Sequence, residues 1–270
     1  MNDRPGEGAL TTPAEPVLRR QLRDGIASLV LNRPRQYNVL SRALLDALHE
    51  ALDAIARDET VRVVTITGAG SAFCAGHDLR EMRALDSQAQ VQALFASCSA
   101  MMQKLVALPV PVIAMVNGLA TAAGCQLVAQ CDLAVASDEA KFAVSGVNLG
   151  LFCSTPSVPL SRNLGRKRAA EMLFTGAFID AKQALEWGLV NRVVPPGEVG
   201  AATDELVARL KAKPREALAL GKALFYRQLE AGLAQAYEDA TRTISCNMDT
   251  DFAREGVDAF LQKRPPNWKL

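Results

Sequence analysis

The sequence predicts an α/β core followed by an all-helical segment. Short apolar runs alternate with amphipathic stretches as far as Val190–Val194, whereas no strand pattern is evident from Glu198 onward. The chain has 270 residues, of which 49% are hydrophobic, and this is enough for a full core. We therefore expect a disordered leader at residues 1–16, a core at 17–197 and a helical segment at 198–270.

The first predicted elements are a β-hairpin and an amphipathic helix. Strand patterns at Val17–Leu22 and Ile26–Asn32 flank a turn at Asp24 and Gly25. Ser41 is a suitable N-cap for a helix whose apolar residues recur at spacings of four and three. Later strands are predicted at Val61–Thr67, Val112–Val116, Leu133–Val135 and Val190–Val194. Later helices are predicted near Asp78–Ala84, Gln88–Ala107, Ala123–Gln130, Arg166–Phe174, Ala181–Trp187, Glu198–Ala212, Arg215–Ser245 (broken) and Thr250–Gln262, with one more starting near Pro156.

Charge and composition exclude several classes of function. The formal net charge is +1, from 30 basic and 29 acidic residues, so no footprint for nucleic acid or an anionic membrane is visible. There is no apolar run of about 18 residues, and the first 16 residues lack an apolar signal-peptide core. We therefore predict a cytoplasmic protein. The six cysteines form no CxxC pair and only two histidines occur, so no metal site is expected.

Two stretches of small residues connect a strand to a helix. The first corner is Gly70–Leu79 (GSAFCAGHDL), and the second corner is Asn117–Gly124. A strand that runs directly into a helix leaves several backbone N–H groups without partners, and the helix dipole favours negative charge there. If both corners face one carbonyl oxygen, they form an oxyanion hole. The alternative is that each corner is only a tight strand-to-helix connection.

Five motifs, in order along the chain, resemble one known family. They are NRPRQYNVLS (Asn32–Ser41), AFCAGHDL (Ala72–Leu79), VNGLATAAGCQLVAQCDLAVAS (Val116–Ser137), LFTGAFIDAKQALEWGLVNRVVP (Leu173–Pro195) and FLQKRPPNW (Phe260–Trp268). Together they resemble the crotonase superfamily, the enoyl-CoA hydratase/isomerase family, from about Val17 to Trp268. The resemblance implies a spiral of ββα units with a C-terminal helical segment for trimerisation. It also implies a homotrimer or dimer of trimers, an acyl-CoA thioester as ligand, and no permanently bound metal or redox cofactor.

The resemblance also assigns roles to individual residues. The oxyanion donors fall on the backbone N–H groups of His77 and Ala123, where the family usually has Gly at the second position. The alanine keeps the N–H, but its methyl group can narrow the pocket. The positions that match coenzyme A contacts are Arg35, Gln36, Tyr37, Ala75, Asp78, Arg80, Phe260 and Lys263. Phe260 and Lys263 match residues that reach the nucleotide of a neighbouring subunit. The alternative for these side chains is a solvated charge or a core aromatic.

The sequence departs from the family where proton transfer is needed. Hydratases of this family use two glutamates, and the matching positions here hold Gln126 and Gly146. A position used for an aspartate in some isomerases holds Ser154. Water addition needs both a base and an acid, so fast hydration is not expected, although enolate stabilisation is retained. Substitute proton-transfer candidates are His77, Asn148, Cys153 and Ser154.

Three functions stay open on this basis. The first is an enzyme that binds acyl-CoA and stabilises an enolate-like anion, nominally an enoyl-CoA hydratase/isomerase of fatty-acid metabolism. The second is a non-catalytic acyl-CoA binder. The third is a crotonase reaction that needs less acid–base help, such as decarboxylation or thioester hydrolysis. The segment GVNLGLFCSTPSVPLSR, together with FLQKRPPNW, resembles a branch of the family that lacks the usual pair of glutamates.

Overall fold

A computed structural model describes residues 15–268, which form ten strands and eleven α-helices. The strands are β1 (Leu18–Arg23), β2 (Ile26–Leu31), β3 (Val63–Gly68), β4 (Ala72–Cys74), β5 (Val112–Val116), β6 (Leu119–Thr121), β7 (Leu133–Ser137), β8 (Lys141–Ala143), β9 (Ile179–Asp180) and β10 (Arg192–Val194). The helices are α1 (Arg42–Arg57), α2 (Leu79–Arg83), α3 (Gln88–Ala107), α4 (Ala123–Gln130), α5 (Ser154–Asn163), α6 (Arg166–Thr175), α7 (Ala181–Trp187), α8 (Val199–Lys211), α9 (Arg215–Leu229), α10 (Leu233–Met248) and α11 (Asp251–Leu261). Residues 1–14 of the predicted leader lie outside the described part of the chain.

The strands form two separate sheets, and from β3 to β8 successive strands along the chain are added to the two sheets in turn. The larger sheet has the order β1-β2-β3-β5-β7-β10, and the smaller has the order β4-β6-β8-β9. In the larger sheet only β1 is antiparallel to its neighbour; the other pairs are parallel. Each of the pairs β3/β4, β5/β6 and β7/β8 adds one strand to each sheet, and a helix follows it. This is the repeated ββα arrangement that the resemblance implied, and the α/β prediction is confirmed.

Burial explains why these residues form these elements. Strand β3 is buried along almost its whole length, which suits its uninterrupted apolar run in a parallel sheet. Helix α1 buries one apolar stripe, and the Ser41 hydroxyl accepts a hydrogen bond of 3.3 Å from the Leu44 N–H at its N-terminus. The two short strands β4 and β6 lie inside the two stretches of small residues that connect a strand to a helix, and the sequence does not predict them because three residues are too few to show a period.

The outer face of the larger sheet is covered by helix α8. Val63, Ile113 and Val135 come from three neighbouring strands, and they pack against Val199 and Val207 of the helix. These side chains form a second apolar cluster, separate from the main core. Helix α8 therefore completes the sheet, although it belongs to the C-terminal helical part of the chain. None of the helices in residues 15–268 is long and apolar enough to cross a bilayer.

A buried polar network joins helix α9 to the core. The Lys222 ammonium donates to the Leu105 carbonyl (2.8 Å), the Val110 carbonyl (3.0 Å) and the Asp132 carboxylate (2.7 Å). The Tyr226 hydroxyl donates to the other oxygen of Asp132, also at 2.7 Å. The Lys222 side chain is 7% exposed, so its ion pair is largely shielded from water. Burial lowers the pKa of Lys222, and the Asp132 carboxylate opposes that shift.

We expect Lys222→Met to reduce the free energy of unfolding by about 3 kcal/mol, because it leaves the largely buried Asp132 charge without its cationic partner. Urea denaturation measures the effect. Arg162→Gln is the matched control, since Arg162 and Glu230 form an exposed ion pair whose loss changes stability little. Equal effects of the two substitutions would contradict the assigned role of Lys222.

Candidate active site

The first corner is held by a short parallel bridge between Leu40 and His77. The Leu40 N–H donates to the Gly76 carbonyl at 2.7 Å, and the Asp78 N–H donates to the Leu40 carbonyl at 3.4 Å. Because successive N–H groups of an extended chain point to opposite sides, the His77 N–H points away from Leu40. The backbone donor named by the resemblance is therefore not used in this bridge.

The second corner places the start of α4 directly after β6. Ala122 precedes the helix with φ +49° and ψ −119°, a conformation that is strained for any residue with a Cβ. Its own N–H donates to the Ala143 carbonyl at 2.9 Å. In α4, the first i→i−4 hydrogen bond is donated by the Gln126 N–H to the Ala122 carbonyl (3.0 Å). No side chain caps the start of the helix. The N–H of Ala123 therefore has no partner within the helix.

The two corners are in direct contact. The Thr121 hydroxyl donates to the Ala75 carbonyl at 3.1 Å. A Cβ added to Gly76 would lie 2.9 Å from the Cβ of Ala122 and 3.3 Å from the nitrogen of Ala123. A Cβ added to Gly124 would lie only 1.9 Å from the Cys74 carbonyl oxygen. Glycine is required at both positions because the two backbones approach so closely.

The positions that lack glutamate differ in the space around them. Gln126 is 3% exposed, and its Oε1 atom has no hydrogen-bond partner among residues 15–268. Gly146 donates its N–H to the Cys153 sulfur at 3.3 Å. A Cβ at Gly146 would lie 2.5 Å from the Leu151 carbonyl oxygen and 2.8 Å from that sulfur. Position 126 therefore holds a full polar side chain, whereas position 146 has no room for one without a backbone shift.

Among the substitute candidates, His77 has the most unusual surroundings. Both ring nitrogens are buried and have no hydrogen-bond partner in the described residues. The ring packs edge-on against Phe95, with 5.1 Å between the ring centroids. Burial lowers the pKa of His77, and a weaker opposing effect comes from the Leu40 backbone, whose approach to the ring falls outside hydrogen-bond geometry. The imidazole is thus neutral near neutral pH.

The other candidates are less suited to proton transfer. Burial raises the pKa of the Cys153 thiol, and the Gly146 N–H only partly opposes this, so the thiolate is disfavoured. The exposed Ser154 donates its hydroxyl to the nearby Phe152 carbonyl at 3.3 Å. Asn148 is exposed on a short 3₁₀ turn. None of these three has a partner that would activate it as a base within residues 15–268.

Some of the predicted coenzyme A contacts lie beside the first corner. The Tyr37 carbonyl accepts the Ala75 N–H at 3.0 Å, which places the exposed turn Arg35–Tyr37 next to that corner. Arg80 is exposed on α2. Asp78 has a structural role: one carboxylate oxygen caps α2 through the Arg80 N–H (3.0 Å), and the other pairs with Arg33 at 3.3 Å.

Asn38 organises this turn and was missed by the sequence analysis. It is fully buried with φ +55°, and its amide donates to the carbonyls of Ala69 (2.9 Å) and Ala72 (2.7 Å). Its side-chain oxygen accepts the Arg33 N–H at 2.9 Å. Asparagine tolerates left-handed backbone better than most residues, and this tolerance is the only sequence signal that could have pointed to it.

Phe260 and Lys263 lie in the C-terminal part of the chain. Phe260 is 82% exposed on α11, which packs against α10. The contacts of a single chain do not bring either residue to the two corners. The expectation that they act on a neighbouring copy stays a prediction.

The described cavities do not mark the corners. One, of about 380 Å³, lies between α9, α11 and Trp268, and another, of about 280 Å³, lies between the first hairpin and α1. The candidate site therefore rests on backbone geometry and unpartnered polar atoms rather than on cavity size. Among residues 15–268 there is no group of three or more histidine, cysteine or acidic side chains suited to a metal ion.

Comparison with known proteins identifies the family. Residues 21–270 match the family model described as enoyl-CoA hydratase/isomerase. The chain is 46% identical over 245 residues to enoyl-CoA hydratase domain-containing protein 3, mitochondrial, from Mus musculus, covering 91% of this chain and 82% of that protein. The Homo sapiens protein of the same name is 44% identical over 266 residues, covering 98% and 88%. The chain belongs to the enoyl-CoA hydratase/isomerase family, and these relatives represent the branch that the sequence resembled.

Solved structures agree with this assignment. A crystal structure of an enoyl-CoA hydratase from Mycobacterium smegmatis matches with a TM-score of 0.93 at 55% identity, covering 95% of this chain and all of that one. The human enoyl-CoA hydratase domain-containing protein 3 matches with a TM-score of 0.90 at 44% identity, covering 93% and 100%. The crotonase-like fold is therefore confirmed.

The prediction of a cytoplasmic location is wrong on this comparison. The mouse, rat and human relatives all carry the word mitochondrial in their names. The prediction relied on the lack of an apolar secretory core. Mitochondrial transit peptides are amphipathic rather than apolar, so that lack does not separate the two compartments.

We expect Gly146→Ala to reduce the free energy of unfolding by about 1–3 kcal/mol, because the added methyl group meets the Leu151 carbonyl and the Cys153 sulfur. Thermal denaturation measures the effect. Gly200→Ala on α8 is the control: its added methyl group would meet nothing within 4 Å, and alanine favours the helix. An unchanged or raised Tm for Gly146→Ala would show that the space at this position is not limiting.

Proposed function

We propose that the protein binds an acyl-CoA thioester and stabilises an enolate-like anion through the backbone N–H groups of His77 and Ala123. The observation that carries this proposal is the direct contact of the two corners, with one donor turned away from the Leu40 bridge and the other at the uncapped start of α4. Both donors belong to rigid backbone, so little reorganisation is needed when charge develops. Loss of one such donor typically costs about 3 kcal/mol of transition-state stabilisation.

The buried start of α4 strengthens the second donor. Ala123 is 2% exposed, so water competes weakly for its N–H. The first turn of a helix carries a partial positive charge, which favours an oxygen anion at that end. The thioester oxygen is thus the part of the ligand that the corners recognise, and the proposal requires no metal or redox cofactor.

Proton transfer is the weak part of this site. A positioned acid or base contributes roughly 10²–10⁴-fold each, and neither Gln126 nor Gly146 can act as one. Hydration of an enoyl thioester should therefore be slow, although the enolate is stabilised. The neutral, unpartnered imidazole of His77 is the substitute for which the surroundings give most support.

In this proposal, the coenzyme A part of the ligand binds to the turn Arg35–Tyr37 together with Ala75 and Arg80. Phe260 and Lys263 of a neighbouring copy bind its nucleotide. Assembly into a homotrimer or dimer of trimers is part of the proposal. It is supported by large apolar side chains that α9, α10 and α11 leave exposed. These are Phe225, Leu229, Leu233, Tyr237, Ile244, Met248, Val257, Phe260 and Leu261.

A non-catalytic acyl-CoA binder is the second candidate. The observation that favours it is the close approach of the Leu151 carbonyl to Gly146, which leaves no space for an acid from that position. A decarboxylase or thioesterase of the same family is the third candidate, since such reactions place fewer demands on proton transfer.

We expect the purified protein to bind crotonyl-CoA in a calorimetric titration and to hydrate it measurably above the background rate, but roughly 10²–10⁴-fold more slowly for each missing acid or base than an enzyme that holds both. The loss of ultraviolet absorbance of the conjugated thioester measures hydration. In parallel, a panel of acyl-CoAs is assayed for released free CoA and carbon dioxide. Release of either product identifies the third candidate, and absence of any turnover identifies the second. Failure to bind any thioester would contradict the proposal itself.

We expect Gln126→Glu to raise the hydration rate by about 10²-fold, because it supplies one acid–base group where the fold already holds a side chain of that size. Gln103→Glu, the same change on the exposed face of α3, serves as the control. We do not expect Gly146→Glu to add to the effect, since its side chain would collide with backbone. If Gln126→Glu binds the thioester but gains no hydration, position 126 does not face the acyl group.

A further inference from the structure

Residues 264–268 form a strap that returns from the end of α11 toward the junction of α8 and α9. The Arg264 guanidinium makes a two-point ion pair with Glu255, with N–O distances of 2.6 and 2.9 Å. The Asn267 N–H donates to the same carboxylate at 2.6 Å. The Trp268 indole N–H donates to the Ala212 carbonyl at 3.0 Å. Glu255 therefore binds Arg264 at the start of the strap and Asn267 near its end.

The strap ends on a junction that is itself fixed to the core. Arg62 donates to the Lys211 and Lys213 carbonyls, at 3.3 and 2.5 Å. Arg215 donates to the Val61 carbonyl at 3.1 Å. The Trp268 ring lies so close to Gly256 that an added Cβ there would be 3.2 Å from it. The end of α11 is thus tied to the core rather than free in solvent.

The residue just before the strap is a lysine in an unfavourable backbone conformation. Lys263 has φ +56°, and it follows α11 at the position where helices commonly carry glycine. The Lys263 N–H donates to the Phe260 carbonyl (3.1 Å), and the Arg264 N–H donates to the Ala259 carbonyl (3.0 Å). Glycine would form this Schellman turn with less strain, so the turn itself does not explain a lysine.

We propose that Glu255 is a positioning residue: through Arg264 and Asn267 it fixes the direction in which Phe260 and Lys263 face the nucleotide of a CoA ester bound by a neighbouring copy. This rests on the proposed function. The ligand chemistry is a nucleotide phosphate, which the Lys263 ammonium pairs with, and an aromatic base, which the Phe260 ring packs against. The carboxylate is ionised at working pH, because Arg264 and the Asn267 N–H hold the pKa of Glu255 at about 2.

The test compares a ligand that carries the nucleotide with one that does not. Calorimetry gives the Kd of butyryl-CoA, and ligand-observed NMR gives that of S-butyryl-pantetheine, for the assembled protein. We expect Glu255→Gln to raise the Kd of butyryl-CoA by about tenfold and to change the Kd of S-butyryl-pantetheine by no more than about twofold. Arg254→Gln is the matched control, because Arg254 forms exposed ion pairs at the other end of α11. It should change neither Kd.

A second variant distinguishes a role in ligand binding from a role in the stability of the fold. We expect Lys263→Gly to raise the Tm by about 2 °C, because the left-handed conformation suits glycine. We expect the same substitution to raise the Kd of butyryl-CoA by about tenfold. A residue with only a structural role would not lose affinity while the protein gains stability. This variant also keeps the inference testable if Glu255→Gln folds poorly.

The outcomes separate this inference from the proposed function. If the wild type binds neither thioester, the proposed function fails, and this inference fails with it. If the wild type binds both and Glu255→Gln weakens them equally or not at all, only the positioning role is overturned. Lys263→Gly with unchanged butyryl-CoA affinity overturns the role of the strained lysine.

Discussion

The candidate site depends on one steric constraint, the contact of two backbone corners that are far apart in sequence. Gly124 lies against the Cys74 carbonyl and Gly76 lies against Ala122, so neither position tolerates a side chain. This contact is built by β4 and β6, whose pairing in the smaller sheet brings the corners side by side. The strained backbone of Ala122 is part of the same arrangement, since it turns the chain from β6 into α4 without a capping side chain. Under the proposed function, an anion site made from main chain in this way does not depend on which side chains surround it.

The two positions at which the resemblance implies glutamates, Gln126 and Gly146, are not equivalent, and the difference lies in packing. Gln126 keeps the volume and the buried setting of a glutamate, with an oxygen that lacks a partner. Gly146 instead accommodates the Leu151 carbonyl and the Cys153 sulfur, which occupy the space that a side chain would need. One position thus retains a polar side chain inside the protein, and the other has been filled by neighbouring chain. Under the proposed function, a carboxylate could therefore be restored at position 126 but not at position 146.

Much of the fold could be predicted because long elements leave a clear period. Helix α1 is an example: its apolar residues recur at helical spacing, and Ser41 caps it as expected. Strands β4 and β6 could not be predicted, since three residues show no period and pairing in a second sheet is not local information. The two corners could be located from their small residues, but their contact could not. Asn38 was missed for a similar reason, because its hydrogen bonds reach more than 30 positions along the chain. The motifs carried the family, whereas the lack of space at Gly146 became visible only in three dimensions.

The way α8 and α9 complete the core bears on how the chain folds as it leaves the ribosome. Asp132 pairs with Lys222, which lies 90 positions later in the sequence. The Arg62 guanidinium donates to the Lys213 carbonyl, which lies 151 positions later. Until α8 arrives, the apolar outer face of the larger sheet is open to solvent. Contacts of such long range slow folding and leave half-made sheets prone to aggregate. A chain that ends before α8 therefore leaves this apolar face uncovered, and we expect it to aggregate rather than to form a smaller stable core.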